Sequence, residues 1–143
     1  MLVNESSIQI EVLAAAMRYE NALVNNHVQT LDELFWNSDQ TVRYGATEML
    51  YGAAEIAAFR KSRNTTNLSR TIRRIQVTTF GTDFATVNLE FERRGQEAIG
   101  RQSQFWVRMP EGWRIVSAHV SNVSQAASMN SEGARNSNND ESR

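Results

Sequence analysis

The feature that most constrains this chain is a pair of strand-like runs on either side of its only proline, within residues 100–121 (GRQSQFWVRMPEGWRIVSAHVS). The segment MPEG at residues 109–112 predicts a tight turn, because proline pre-sets φ at the second turn position and glycine suits the last. The flanking residues alternate as strand side chains do. We therefore predict a β-hairpin in which Arg108 pairs with Trp113.

Continuing this pairing sorts the hairpin side chains into two faces. The predicted partners are Trp106 with Ile115, Gln104 with Ser117 and Gln102 with His119. That face combines aromatic rings with hydrogen-bonding groups, as the lining of a small-molecule pocket does. The other face is apolar and holds Phe105, Val107, Val116, Ala118 and Val120.

The composition indicates an ordinary globular protein. A chain of 143 residues with 41% hydrophobic and 22% charged residues fits one domain. No apolar run approaches the ~20 residues of a membrane span, and the N-terminal segment lacks the features of a secretory signal, so we expect a cytoplasmic protein with no membrane partner. The absence of cysteine excludes disulfides and thiolate metal sites. The net charge of −1 disfavours a nucleic-acid partner.

The N-terminal half has helical patterns. Residues 9–25 carry an apolar stripe at helical spacing that includes Val12, Ala16, Tyr19 and Leu23. Residues 28–36 and 53–63 predict two further helices, and the second of these ends in Arg60, Lys61 and Arg63, where cations suit the helix dipole. Between them, residues 41–44 predict a short strand and residues 45–52 a loop.

The C-terminal half has strand patterns. Residues 70–80 and 84–93 predict two strands before the hairpin, and the second alternates an apolar face with one that carries Thr86, Asn88 and Glu90. Helices followed by strands indicate the α+β class, here a curved antiparallel sheet wrapped around the N-terminal helices. We assign the domain to residues 6–123 and expect the Ser/Asn-rich residues 124–143 to form a poorly ordered tail.

The layout resembles the cone-shaped NTF2-like (SnoaL-like) superfamily. The segments RYENALVNN, LDELFW, TVRYGATEMLYG, DFATVNLEF, GRQSQFWVR and PEGWRIVSAHVS are similar to AtzH/HpxZ-type proteins of oxalurate and cyanuric acid catabolism. This resemblance implies a decarboxylating amidohydrolase that acts without a cofactor on 1,3-dicarboxyurea and forms allophanate. It also implies a catalytic pair, which falls here on Tyr19 in RYENAL and Arg43 in TVRYG.

Each member of this pair also has a purely structural interpretation. Tyr19 could cap the core and bond a backbone carbonyl. Arg43 lies between Val42 and Tyr44 and needs an anion, which could be a substrate carboxylate or one of the internal carboxylates. The internal candidates are Glu20, Asp39, Glu48 and Glu90.

Four further residues are candidates for substrate binding: Arg70, Asn88, Gln104 and His119. Arg70 would face inward with Arg74, whereas His119 could equally be a structural hydrogen-bonding residue. The two distant histidines provide no metal-ligand set.

The chain holds fourteen arginines and one lysine, which reflects either codon bias or an anionic substrate, since guanidinium groups bind carboxylates well. We expect a small anionic substrate and a homodimer. The alternative is a non-catalytic NTF2-like module that binds a ligand or serves in an assembly.

Overall fold

Residues 1–124, which the computed structural model describes, form three helices and six strands. The helices and first strands are α1 (Ser6–Val24), α2 (Val28–Leu34), β1 (Val42–Tyr44), β2 (Met49–Tyr51) and α3 (Ala53–Ser62). The long strands are β3 (Thr71–Phe80), β4 (Phe84–Glu92), β5 (Ile99–Met109) and β6 (Gly112–Val123). The predicted tail lies outside the described residues except for Ser124.

The strands form one curved, open sheet in the order β2-β1-β6-β5-β4-β3, and the α+β prediction is confirmed. The four long strands are antiparallel as expected, but β1 runs parallel to β6. The segment Met49–Tyr51 was predicted as a loop and is instead strand β2, paired with β1. A three-residue run carries too little periodicity to be recognised before its neighbour is known.

The hairpin of β5 and β6 turns at Pro110 and Glu111, and Met109 pairs with Gly112 as the sequence predicts. Gly112 has a φ of 124°, a conformation that favours glycine. The predicted pairing of Arg108 with Trp113 is confirmed.

A β-bulge at Val116 interrupts this hairpin. Trp106 pairs with Ile115 as predicted, whereas the preceding residue Phe105 pairs with Ser117, so that Val116 is an extra residue on β6. A bulge of this kind reverses the alternation of side chains along the strand that carries it.

The pairings predicted beyond the bulge were wrong. Gln104 lies opposite Ala118 rather than Ser117, and Gln102 lies opposite Val120. Because the alternation of β6 is reversed there, Ala118 is buried and His119 is exposed. The prediction assumed unbroken alternation along β6, which put Ser117 and His119 on the pocket face.

One hydrophobic core joins α1 to the apolar face of the sheet. Its members include Ile8, Val12, Ala16, Tyr19 and Leu23 from α1 and Val87, Leu89, Phe91, Trp106 and Ile115 from the sheet. Burying each large apolar side chain contributes about 1.5–3 kcal/mol, and this fixes the inward face of α1. Within residues 1–124 no helix is long and apolar enough to cross a membrane.

Candidate functional site

Tyr19 lies on the inward stripe of α1, between Ala16 and Leu23, and is only 2% exposed. Its ring contacts that of Phe35 edge to face, with the centroids 6.0 Å apart. The packing of α1 on the sheet therefore holds a phenol inside the protein. A buried hydroxyl of this kind takes its chemical properties from the charges and donors around it.

Arg43 reaches the core side of the sheet from β1. It pairs with Ala118, which pairs in turn with Gln104, and residues paired across a sheet share a face. Arg43 Nη1 donates a hydrogen bond to Glu48 Oε1 at 2.9 Å, and the guanidinium lies 5.5 Å from the ring centroid of Phe59. The ion pair considered as an alternative for Arg43 is therefore present, with Glu48 as the partner.

The C-terminal end of α3 contributes two more arginines. Arg60 is 4% exposed, donates to Asp32 and lies 5.2 Å from the ring centroid of Phe35. Arg63 follows at the C-cap of α3. The Nε and Nη2 atoms of Arg63 are buried and have no hydrogen-bond partner among residues 1–124.

Arg70 binds a carboxylate in the same region. Its Nε donates to Glu20 Oε1 at 2.7 Å and its Nη2 to Glu20 Oε2 at 2.8 Å, while Nη2 also donates to Gln102 Oε1 at 2.7 Å. The guanidinium lies 4.2 Å from the ring centroid of Phe91. The inward orientation predicted for Arg70 is observed. Arg74 is exposed instead, because a register shift interrupts β3 just before it.

Two glutamine amides on β5 also have unused donors. Gln102 Oε1 accepts from Arg70, and Gln104 Oε1 accepts from Trp106 Nε1 at 2.9 Å. Because guanidinium and indole groups only donate, these bonds fix which end of each amide is the oxygen. The Nε2 atoms of both glutamines are buried without a partner in the described part of the chain.

These groups change the acidity of the buried phenol. Burial by itself raises the pKa of Tyr19, but the positive charges of Arg43, Arg70 and Arg60 outweigh it and bring the pKa below its ordinary value of 10.0. The nearby amide of Gln102 acts in the same direction, although its Nε2 does not reach hydrogen-bond geometry with any described residue. Tyr19 is therefore a stronger acid than an exposed tyrosine.

We call the four arginines within electrostatic reach of Tyr19 the arginine cluster. Its members are Arg43, Arg60, Arg63 and Arg70. Three carboxylates pair with it, those of Glu48, Asp32 and Glu20. Four guanidinium groups and three carboxylates leave one positive charge in excess, and a buried charge without a counterion favours the binding of an anion.

Two of the predicted binding residues lie elsewhere. His119 is exposed on the outer face of the sheet, with its ring 5.5 Å from that of Tyr44. Asn88 is exposed on the same face, where its Oδ1 accepts from Ser103 Oγ at 2.6 Å. The structure therefore brings Tyr19 together with arginines and glutamines, and not with these two residues.

Sequence reasoning missed the contribution of α3. It assigned Arg60 and Arg63 to the helix dipole, yet they follow Ile56 and Phe59 by four residues each and so continue the face of α3 that packs inward. This four-residue spacing is the sequence feature that could have placed both arginines on the inward face of α3. Glu20 was considered only as a partner for Arg43.

A cleft of about 530 Å³ lies next to the arginine cluster, between α2, α3 and the β5–β6 turn. Phe35 and Arg60 line it, and Phe35 is also the residue that contacts Tyr19. The buried site therefore lies only one side chain from an open surface. In residues 1–124 no three His, Cys, Asp or Glu side chains are grouped to hold a metal ion.

The curved open sheet and its helices form an NTF2-like fold, as likeness to solved NTF2-like structures shows. One from Pseudomonas putida, 14% identical, has a TM-score of 0.69 and covers 82% of this chain and 87% of its own. Over residues 1–126 the sequence matches the AtzH-like family, and the chain belongs to that family. No curated protein matches it.

Two solved structures are much more similar in sequence. A protein of unknown function of the DUF3225 family from Pectobacterium atrosepticum is 54% identical, with a TM-score of 0.84, and the match covers 85% of this chain and 95% of that one. A cystatin-like fold protein from Burkholderia xenovorans is 45% identical, with a TM-score of 0.83 over 87% of this chain and 98% of that one.

Proposed function

We propose that this protein is a decarboxylating enzyme of the amidohydrolase type that acts on a small carboxylated urea, 1,3-dicarboxyurea or a related compound of oxalurate breakdown. Tyr19 and Arg43 are its catalytic residues. The observation that carries the proposal is a fully buried phenol whose pKa is lowered by surrounding arginines. Perturbed acidity at a buried, partly unpaired charge cluster is typical of a catalytic site.

The proposed reaction needs one proton donor and electrostatic stabilisation. Tyr19 O–H gives its proton to the nitrogen that bears the carboxylate. The C–N bond breaks, its electron pair stays on that nitrogen, and carbon dioxide leaves. The arginine cluster stabilises the tyrosinate formed in this step, which takes a proton from water to complete the cycle.

Arg43 acts on the phenol from a fixed position. Of the arginines that lower the pKa of Tyr19, Arg43 has the largest effect, and its hydrogen bond to Glu48 fixes its position. A group held in this way does not have to reorganise when the substrate binds. The excess positive charge of the arginine cluster attracts a substrate that is itself an anion.

A non-catalytic binding module is the second candidate. It is favoured by the ion pair of Arg43 with Glu48 and by the contact of Tyr19 with Phe35, since both features also occur in a core that has no further role. Such a module would bind the same small anions and leave them unchanged.

Carbon dioxide release from 1,3-dicarboxyurea, measured above the spontaneous rate, distinguishes these functions. We expect Tyr19→Phe and Arg43→Ala to lose ~100-fold or more of the activity, the range for removing a general acid. Tyr51→Phe is the matched control, because this tyrosine is 52% exposed. A wild-type rate in either site variant would contradict the assignment, and saturable binding without release would support the binding module.

We also propose that two copies of the chain associate through the outer face of the sheet. This face carries exposed apolar side chains, namely Met49, Tyr51, Phe84 and Phe105. These side chains are 45–71% exposed, and large apolar side chains exposed on one face of a sheet are a usual feature of protein–protein interfaces.

A further inference from the structure

Arg63 has a buried hydrogen-bonding edge that nothing in the described chain uses. Its Nε and Nη2 atoms are shielded from solvent, and neither has a hydrogen-bond partner among residues 1–124. Burial lowers the pKa of Arg63, as do Arg60 and Arg43, while Tyr19 and Glu48 raise it. The side chain therefore lies within electrostatic reach of the catalytic phenol.

The Nε–Nη2 edge of a neighbouring arginine shows which group such an edge binds. Arg70 uses its Nε and Nη2 atoms to hold both carboxylate oxygens of Glu20, at 2.7 and 2.8 Å. This side-on, two-bond geometry matches a planar carboxylate. Arg63 presents the same two donors without the carboxylate.

The other members of the arginine cluster are already paired. Arg43 is bound to Glu48 and Arg60 to Asp32. The positive charge in excess therefore belongs to Arg63. Gln102, whose amide lies beside Tyr19, has a buried Nε2 donor that is also unused. Buried donors are normally paired with an acceptor, and among residues 1–124 these donors have none.

We infer that Arg63 anchors the substrate, by holding one of its carboxylates side-on with Nε and Nη2 while Tyr19 faces the reacting C–N bond. This inference rests on the proposed function of the site and adds to it the residue that selects the ligand. The ligand class is a small, planar carboxylate, since the edge can donate to two oxygens in one plane. Arg43, which the sequence suggested for this role, serves the phenol instead.

Binding of stable carboxylates tests the inference without any turnover. The probes are oxalate and malonate, with malonamide as the uncharged control, and the readout is calorimetric Kd together with the ligand-induced rise in Tm. We expect Arg63→Gln to weaken malonate binding roughly 10- to 100-fold, the range for hydrogen bonds to a charged group. Arg63→Lys keeps the charge but loses the two-bond geometry, so it falls between that variant and the wild type.

The matched control is Lys61→Gln, which removes one exposed cation from the same end of α3 and leaves the Kd unchanged. Stability provides a second, independent readout. Without ligand, Arg63→Gln melts at or above the wild-type Tm, because it removes a buried charge that has no partner, and its ligand-induced rise in Tm is lost.

Three results would overturn the inference: wild-type affinity in Arg63→Gln, no binding of either carboxylate by the wild type at millimolar concentration, or a ligand-free Arg63→Gln that melts well below the wild type. The last would mean that Arg63 has an internal partner. If Arg63-dependent binding is found but no carbon dioxide is released, the proposed catalysis fails and the anchoring role stands.

Discussion

The buried ion pair between Arg70 and Glu20 gives a stability prediction that can be worked out from the structure. The two side chains are 2% and 9% exposed, and two hydrogen bonds of 2.7 and 2.8 Å join them. In Glu20→Gln one carboxylate oxygen becomes an NH2 group that faces another donor. The substitution therefore removes a charged hydrogen bond and leaves a buried guanidinium without its counterion.

Breaking a buried pair by removing one partner costs about 3–5 kcal/mol. Because domains are stable by only about 5–15 kcal/mol, Glu20→Gln should lose roughly a fifth or more of the free energy of unfolding. The corresponding fall in Tm is roughly 10–20 °C for a domain of this size. Urea denaturation followed by circular dichroism measures the loss directly.

The exposed pair of Arg18 with Glu33 is the matched control, since its side chains are 50% and 47% exposed. Arg18→Gln should change the stability by less than about 1 kcal/mol. The double variant Glu20→Leu/Arg70→Met should recover at least half of the loss, because apolar groups of similar volume replace buried ion pairs well. A Glu20→Gln protein as stable as the Arg18→Gln control would refute this account of the site.

Three further predictions concern other parts of the molecule. The pKa of Tyr19 is lower in the folded protein than in the unfolded chain. The wild type should therefore gain stability relative to Tyr19→Phe as the pH rises toward the unfolded phenol value of about 10, and lose that gain as the pH falls through the folded pKa. An unfolding series at alkaline pH checks the sign. A Cβ at Gly100 would lie 2.1 Å from the ring of Phe91, so Gly100→Ala should cost about 1–3 kcal/mol. Gly95→Ala should cost about 1–2 kcal/mol for a different reason, because the space around it is open and only the positive φ of 80° opposes alanine. A Gly100→Ala protein that melts at the wild-type Tm would argue against the ring contact. Phe105→Glu should convert a wild-type dimer to a monomer in sedimentation, and a wild-type monomer would exclude the proposed pairing of outer faces.

The parts of the fold that could be predicted are those with strong local signals. The turn at Pro110 needs only its own residues, and the inward stripe of α1 follows from helical spacing, so that Tyr19 could be placed on the core side. The bulge at Val116 could not be predicted, because its effect depends on which neighbour each strand pairs with. One extra residue was enough to move His119 from the expected pocket to the surface.

The site was predictable to a similar degree. The identities of Tyr19 and Arg43 came from the resemblance to a family, but the partner of Arg43 required coordinates. The role of Arg63 depends on its having no partner, and no sequence pattern reports that. The carboxylates that bind Arg43, Arg60 and Arg70 lie 5 to 50 positions away in the sequence, so spacing alone does not identify them.

The arrangement of the arginine cluster suggests how one site can be both stable and reactive. Three of its arginines are balanced by internal carboxylates, so their charges act on Tyr19 without the full penalty of burying an unpaired ion. Within the arginine cluster only the charge of Arg63 has no carboxylate partner among residues 1–124. An anionic ligand that pairs with it should therefore raise the free energy of unfolding. Loss of stability and loss of binding should therefore separate within one cluster. Glu20→Gln lowers the free energy of unfolding, whereas Arg63→Gln leaves the protein as stable as the wild type and unable to hold a carboxylate.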